Sequence, residues 1–148
     1  MALPRSVLGF LVQDLGLTPE YVQQRITTVF LDGQVVDVLE DATLRKGSRL
    51  ALSAAMPGLV GATLRRSGPY AAMRAEITRS AEHELHVCSA VTTVVEVKLF
   101  NLLIDEIGPV LLERGVLLER EAVAALGVAV HAPPAGPHDL VEVRVRFG

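Results

Sequence analysis

Apolar residues follow regular spacings along most of the chain. In some segments they recur every three or four positions, as in a helix, and in others at every second position, as in a strand. Ahead of Gly16, apolar residues recur at intervals of three and four positions and line one side of a predicted first helix, which begins near Pro4. Those residues are Leu8, Leu11, Val12 and Leu15. Thr18 and Pro19 are residue types favoured at the cap and in the first turn of a helix, so a second short helix is predicted to about Gln24.

The first half of the chain also contains patterns typical of strands. Residues 26–31 are apolar and β-branched and lead into Asp32-Gly33, a pair that favours the tight turn of a hairpin. Residues 34–38 would form the returning strand. After a polar turn, residues 49–53 are predicted to form a further strand, buried in the core.

The second half begins with a clear strand pattern. In residues 94–100, Val95, Val97 and Leu99 on one face and the charged Glu96 and Lys98 on the other predict a strand with one apolar face. Residues 101–114 have helical spacing, which Gly108-Pro109 should kink or divide. Three further elements are predicted: a strand at 116–118, a helix at 120–126 that Gly127 ends, and an alternating strand at 140–147.

A long uncharged segment lies in the middle of the chain. Between Arg49 and Arg65 there are 15 consecutive residues without a charge, a run too short and too interrupted to span a bilayer. It should therefore be buried in protein, at the centre of a sheet, at a contact between subunits, or at both. The residues predicted to form a subunit interface lie towards its end and are Met56, Pro57, Leu59, Val60 and Leu64.

Composition narrows the class of protein. At 148 residues, one domain is expected over residues 1–148, with a helix and half a sheet in 1–64, a basic loop region in 65–82 and a strand-helix-strand half in 83–148. Half of the residues are hydrophobic, which favours a homo-oligomer or another protein partner. The net charge of -3 gives no general attraction to nucleic acid or membrane lipid. A single cysteine, Cys88, fits a reducing, cytoplasmic compartment.

Residues 7–58 contain, in order, a helix, a strand, the turn and strand Asp32-Gly33-Gln34-Val35-Val36, and the run Leu44-x-x-Gly47-Ser48-x-Leu50-Ala51-Leu52 that leads into Met56-Pro57-Gly58. In these features the chain resembles the second half of the small sulfur carriers with a ubiquitin-like β-grasp fold, such as the small subunit of molybdopterin synthase and the thiamine sulfur carrier. The resemblance implies an α+β fold with a β-grasp-like mixed sheet and helices packed on one face.

Two departures from the family pattern limit what the resemblance implies. The family's two opening strands do not precede Pro4 in this sequence. Where the family ends in a free Gly-Gly, this chain has Gly58-Leu59-Val60-Gly61 and continues. Because a thiocarboxylate requires a free terminal carboxyl group, sulfur-carrier chemistry at this position would need cleavage of the chain.

Residues 94–100, followed by Leu102 and Leu103, look like the family's opening strand. We therefore expect a β-grasp-like sheet in permuted strand order, with residues 94–100 parallel to residues 49–53 at its centre and residues 116–118 as the second strand. The alternative is an unrelated α+β sandwich whose strands have similar patterns.

Residue types that bind metals cluster once, at His83, Glu84, His86 and Cys88. In an extended segment, Glu84, His86 and Cys88 would share one face, and His131 or His138 would complete a tetrahedral set for a transition metal. The predicted metal ligands are His83, His86 and Cys88. The spacing matches no standard zinc motif, and the alternative is an ordinary polar loop with a buried cysteine. No other cofactor is expected.

Arginines follow the uncharged segment, and Arg65, Arg66 and Arg74 are candidate anion-binding residues. No glycine-rich cradle or interleaved aromatic residue accompanies them, so a solvated polar rim is the alternative. No catalytic residue is assigned, since Gly58-Leu59-Val60-Gly61 lacks the Lys-Ser/Thr of a P-loop and the serines have no nucleophile-elbow context.

Together these patterns favour a non-catalytic protein-interaction or oligomerisation module of sulfur-carrier-like architecture. Two alternatives stay open. One is a metal-binding or small-ligand-binding protein that uses the His83 to Cys88 cluster. The other is an accessory protein in cofactor sulfur transfer.

Overall fold

A computed structural model describes residues 5–55, 58–66, 68, 94–127 and 139–146 of the chain. The chain divides into two compact units, Met1–Asp105 and Glu106–Gly148. The expectation of a single domain over residues 1–148 stays a prediction.

Helices and short strands alternate along the chain. The first unit contains β1 (Arg5–Ser6), α1 (Val7–Gly9), a π-helical turn (Phe10–Asp14), α2 (Pro19–Arg25), β2 (Thr28–Leu31), β3 (Gln34–Val35), β4 (Thr43–Leu44), β5 (Arg49–Ser53), α3 (Gly58–Leu64) and β6 (Glu96–Phe100). The boundary between the units falls within α4 (Leu103–Arg114). The second unit continues with β7 (Val116–Glu119), α5 (Arg120–Ala125) and β8 (Leu140–Val143).

A four-stranded sheet in the order β3-β2-β5-β6 organises the first unit. β2 is antiparallel to both β3 and β5, whereas β5 and β6 are parallel, with Arg49 opposite Glu96 and Ser53 opposite Phe100. The predicted parallel pairing of residues 94–100 with residues 49–53 is confirmed. Over the described ranges, β5 lies inside the sheet and β6 at its margin, not at its centre.

The hairpin between β2 and β3 forms at the predicted Asp32-Gly33 turn. The φ angles of Asp32 and Gly33 are 53° and 85°, in the left-handed region that aspartate tolerates and glycine favours. The Asp32 carboxylate accepts a hydrogen bond from the backbone N–H of Arg49 at 2.8 Å and one from the Ser48 hydroxyl at 3.4 Å. This carboxylate therefore ties the hairpin to the start of β5. The returning strand is shorter than the predicted residues 34–38.

Both helices predicted before residue 25 are present, but the first begins at Val7 and not near Pro4, because Arg5 and Ser6 form β1. The Ser6 hydroxyl accepts a hydrogen bond from the N–H of Gly9 at 3.1 Å, and Thr18 caps α2 through the N–H of Tyr21 at 3.2 Å. After α1 the helix widens, because the N–H of Leu15 donates to the carbonyl of Phe10 across a π-helical turn. The pairing of β1 with β4 before this helix was not predicted.

The uncharged middle segment is sheltered where the structure describes its side chains. Leu50 and Leu52 of β5 are fully buried, and Ser53 and Ala54 are also buried. Alternation along β5 explains the pattern, since Leu50 and Leu52 lie on the face that Val29 and Leu31 share in the neighbouring strand. The predicted burial of this part of the segment is confirmed.

In the second unit, β7 is antiparallel to β8 and forms a two-stranded sheet with it. Residues 116–118 are therefore a strand, as predicted, but this strand pairs with β8 and not, as expected, as the second strand of a β-grasp-like sheet. β8 ends at Val143, although alternation predicted a strand to residue 147. The predicted helix before Gly127 is present as α5, and Gly127 has a φ of 73°.

Pro109 lies inside α4 and does not divide it. The preceding residue, Gly108, has no Cβ, and this relieves part of the clash that a proline imposes on its neighbour. With helices beside a mixed sheet, the fold class is α+β, as the sequence predicts.

Candidate functional site

Exposed apolar side chains concentrate around β6. The exposed fractions are 51% for Val94, 48% for Phe100, 56% for Leu102 and 54% for Ile104, all within residues 94–104. Among the described residues, the other large apolar side chains with comparable exposure are dispersed, at Val38, Leu117 and Leu126. We call residues 94–104 the β6 surface. Exposed apolar side chains that concentrate in one part of a protein mark candidate sites of contact with other molecules, so this surface is the candidate functional site.

The parallel pairing with β5 sets the orientation of the β6 surface. Val97 is opposite Leu50 and Leu99 is opposite Leu52, so these two residues lie on the face that joins the core. Glu96, Lys98 and Phe100 have the opposite orientation and are exposed. Val97 and Leu99 remain half-buried, whereas their partners in β5 are fully buried. The core face of the sheet is therefore less completely covered at β6 than at β5.

A row of charges crosses the exposed face of the same strand. Glu96 Oε2 lies 3.0 Å from Arg49 Nε, and Glu96 Oε1 lies 3.2 Å from Lys98 Nζ. The side chains are exposed, so each ion pair contributes at most about 1 kcal/mol to stability. The charges lie between apolar residues at the two ends of the strand, Val94 and Phe100.

A tight turn after β6 positions the rest of the surface. Asn101 has a φ of 57°, and its side-chain Nδ2 donates to the Ser53 hydroxyl at 3.1 Å, while that hydroxyl donates to the carbonyl of Ala54 at 3.0 Å. The turn thus links the carboxyl ends of the two parallel strands. It leaves Leu102 and Ile104 exposed on either side of Leu103, which is fully buried.

Buried hydroxyl groups lie at the same end of the sheet. Thr28 is opposite Ser53 in the sheet, and Thr27 precedes it. Both threonines are buried, and their hydroxyls have no hydrogen-bond partner within the described ranges. Thr27, Thr28, Ser53 and Asn101 carry only hydroxyl and amide groups, which suit hydrogen bonding and not acid–base chemistry near neutral pH.

The predicted subunit interface falls mainly on α3. Met56 and Pro57 lie outside the described residues. The backbone of Leu59 and Val60 is helical, and Leu64, the last residue of α3, is half-buried. An interface at these five positions stays a prediction, and Gly58 is the first residue of a helix, not part of a terminal tail.

The predicted anion-binding arginines differ in their surroundings. Arg65 is exposed, and Arg74 lies outside the described residues. Arg66 is half-buried. Its backbone N–H donates to the carbonyl of Thr27 at 2.7 Å.

The guanidinium of Arg66 binds the carboxyl end of α2. Nη2 donates to the carbonyls of Ile26 at 2.6 Å and Val22 at 3.0 Å, and Nε donates to Ile26 at 3.1 Å. Burial lowers the pKa of Arg66, and the negative charges of Glu40 and Asp37 act in the opposite direction. At least two of the guanidinium nitrogens therefore serve a structural role. Binding of an anion by Arg65, Arg66 and Arg74 stays a prediction.

The predicted metal ligands His83, His86 and Cys88 lie outside the described residues, as do Glu84, His131 and His138. Over the ranges that the structure describes, no group of three or more histidine, cysteine, aspartate or glutamate residues is placed to hold a metal ion. The metal site accordingly stays a prediction from the sequence.

Sequence reasoning assigned the charged face of residues 94–100 correctly but did not select it as a functional surface. A signal was present. The helical stripe that starts at Leu103 and continues to Ile107 leaves Leu102 and Ile104 off the buried side. Apolar residues that a helical pattern places away from the core are candidates for contact with another molecule.

Fold and surface together define an α+β protein with a mixed sheet and an exposed apolar strand margin. No protein-family model, no curated protein and no solved structure matches the chain. Among the helices in the described ranges, none has the length and apolar character needed to cross a membrane.

Proposed function

We propose that this protein is a non-catalytic protein-interaction module that binds its partner through the β6 surface. The observation that carries the proposal is the concentration of four large exposed apolar side chains within residues 94–104. They lie beside a strand that, over the described residues, pairs on one side only. Edge strands and apolar patches are both common sites of protein association.

We also propose that the sheet is a permuted relative of the β-grasp arrangement. The parallel pairing of β5 with β6 and the hairpin at Asp32-Gly33 support this proposal. The pairing of β7 with β8 removes one of its expected strands and weakens it. Sulfur-carrier chemistry gains no support, because the chain continues as helix α3 from Gly58.

Site-specific photo-crosslinking in the native cell tests the function. The photoreactive amino acid p-benzoylphenylalanine would replace Leu102 or Ile104, one variant at a time. Leu126 is the matched control, because it is also an exposed leucine but lies on the second unit, away from the β6 surface in sequence. Discrete adducts at positions 102 and 104, with none at position 126, are expected.

If neither Leu102 nor Ile104 gives an adduct above the Leu126 control, the β6 surface is not an interaction site in the cell. Circular dichroism of each purified variant would show that the fold is retained. The mass of the adduct then gives the molecular mass of the partner.

A further inference from the structure

We infer that the partner of the β6 surface is a second copy of this chain, joined by antiparallel pairing of β6 with the partner's β6 about a two-fold axis at Val97. This inference rests on the proposed function and specifies its partner. It follows from the directions of the backbone N–H and C=O groups in β6 and from the positions of the charged and apolar side chains along that strand.

The backbone of β6 presents alternate residues to its two sides. The N–H of Glu96 donates to the carbonyl of Ser48 at 3.0 Å, and the carbonyl of Val94 accepts from the N–H of Gly47 at 3.1 Å. Even-numbered residues therefore direct their N–H and C=O groups towards β5. Because these directions alternate along a strand, Val95, Val97 and Leu99 direct theirs away from β5. Those groups are available for a further strand, as far as the described residues extend.

Hydrogen bonding restricts the registers open to an antiparallel copy. In an antiparallel pair of β6 strands, two residues directly opposite each other must both direct their backbone N–H and C=O groups towards the other strand, or both direct them away from it. Odd-numbered residues of one β6 therefore face odd-numbered residues of the other. The two-fold axis must pass through a residue, and near the middle of the strand the choices are Glu96, Val97 and Lys98.

Charge selects one of these three registers. An axis at Glu96 places that carboxylate opposite the partner's Glu96, and an axis at Lys98 places two ammonium groups opposite each other. An axis at Val97 instead pairs Glu96 with the partner's Lys98, twice by symmetry. Opposite charges across a strand pair stabilise it, and like charges destabilise it.

The apolar side chains agree with the same register. With the axis at Val97, Val94 lies opposite the partner's Phe100, so two of the four exposed apolar residues cover each other. On the other face, Val95 lies opposite the partner's Leu99, which extends the half-buried apolar face of the sheet. A two-fold axis makes both contacts occur twice, as in other isologous dimers.

Charge reversal at the junction provides the test. Lys98→Glu and Glu96→Lys each convert two attractive cross-strand pairs into repulsive ones. Each variant should weaken the dimer by at least about tenfold in analytical ultracentrifugation. A mixture of the two single variants should form a heterodimer, since Glu and Lys then face each other in both pairs. Arg146→Glu makes the same change of charge at another exposed residue and should leave the dimer unchanged.

Disulfide trapping reports the register. In a Cys88→Ser background, Val97→Cys should form a disulfide-linked dimer, because residues opposite each other in a hydrogen-bonded pair have Cα atoms about 5.5 Å apart. Leu99→Cys alone should not, whereas a mixture of Val95→Cys and Leu99→Cys should.

A wild-type protein that is monomeric at 100 μM, or a Lys98→Glu variant as dimeric as the wild type, would overturn the inference. Cross-links from Leu102 or Ile104 to a different protein would then leave the proposed function standing. Because residues 102 and 104 lie beyond the paired strands, a monomeric wild type together with the absence of cross-links would remove both.

Discussion

Substitution of Arg66 tests the structural role of its guanidinium. In Arg66→Ala, the carbonyls of Val22 and Ile26 at the end of α2 lose three hydrogen bonds from a charged donor. The backbone hydrogen bond from residue 66 to Thr27 can remain. The variant therefore isolates the contribution of the side chain to the free energy of unfolding.

The expected magnitude follows from the two carbonyls. A buried acceptor that loses its partner costs about 1–3 kcal/mol, and water can reach this half-buried site and recover part of that cost. A loss of about 2–3 kcal/mol in the free energy of unfolding is expected. For a chain of this size, that corresponds to a fall of roughly 5–10 °C in melting temperature.

Urea denaturation followed by circular dichroism measures this loss. Arg65→Ala is the matched control, because Arg65 is the neighbouring arginine and is exposed, and its removal should change stability by less than about 1 kcal/mol. Arg66→Lys should lie between the wild type and Arg66→Ala, since an ammonium keeps the charge but not the planar fork that reaches both carbonyls.

Equal stability of Arg66→Ala and Arg65→Ala in buffer without multivalent anions would refute this account. If Arg66→Ala is as stable as the wild type without sulfate but is stabilised less by added sulfate, the result would support the anion-binding role that the sequence suggested. The two outcomes separate a structural arginine from a ligand-binding one.

Two further substitutions test the sheet. Leu52→Ala removes a fully buried side chain from β5 and should lower the free energy of unfolding by about 2–5 kcal/mol in the same urea assay, whereas Leu102→Ala, at an exposed leucine, should change it by less than about 1 kcal/mol. Gly33→Ala should cost about 1 kcal/mol or more because the φ of Gly33 is 85°, although a Cβ there would meet no neighbouring atom. A Gly33→Ala variant as stable as the wild type would show that this turn can adopt another conformation.

Local signals in the sequence predicted the elements well. Thr18 and Pro19 started a helix, and Asp32-Gly33 formed a turn, because each of these residues acts on backbone groups within a few positions of itself. The parallel pairing of β5 with β6 was also predicted, but from a family resemblance and not from the residues alone.

Choices between distant partners were harder to predict. Residues 116–118 and 94–100 both have strand patterns, and nothing in either pattern shows that β7 pairs with β8 and β6 with β5. The role of Arg66 was missed for a related reason. Its acceptors are backbone carbonyls, which every residue possesses, so no residue type at positions 22 or 26 could indicate the contact.

The parallel pairing of β5 with β6 joins two strands that the ribosome synthesises at different times. Arg49 is opposite Glu96, so the partner strand of β5 emerges from the ribosome 47 residues later. At 5–20 residues per second, this interval is about 2–9 s. A nascent chain would spend those seconds with one margin of an apolar strand unpaired, and unpaired strand margins favour aggregation.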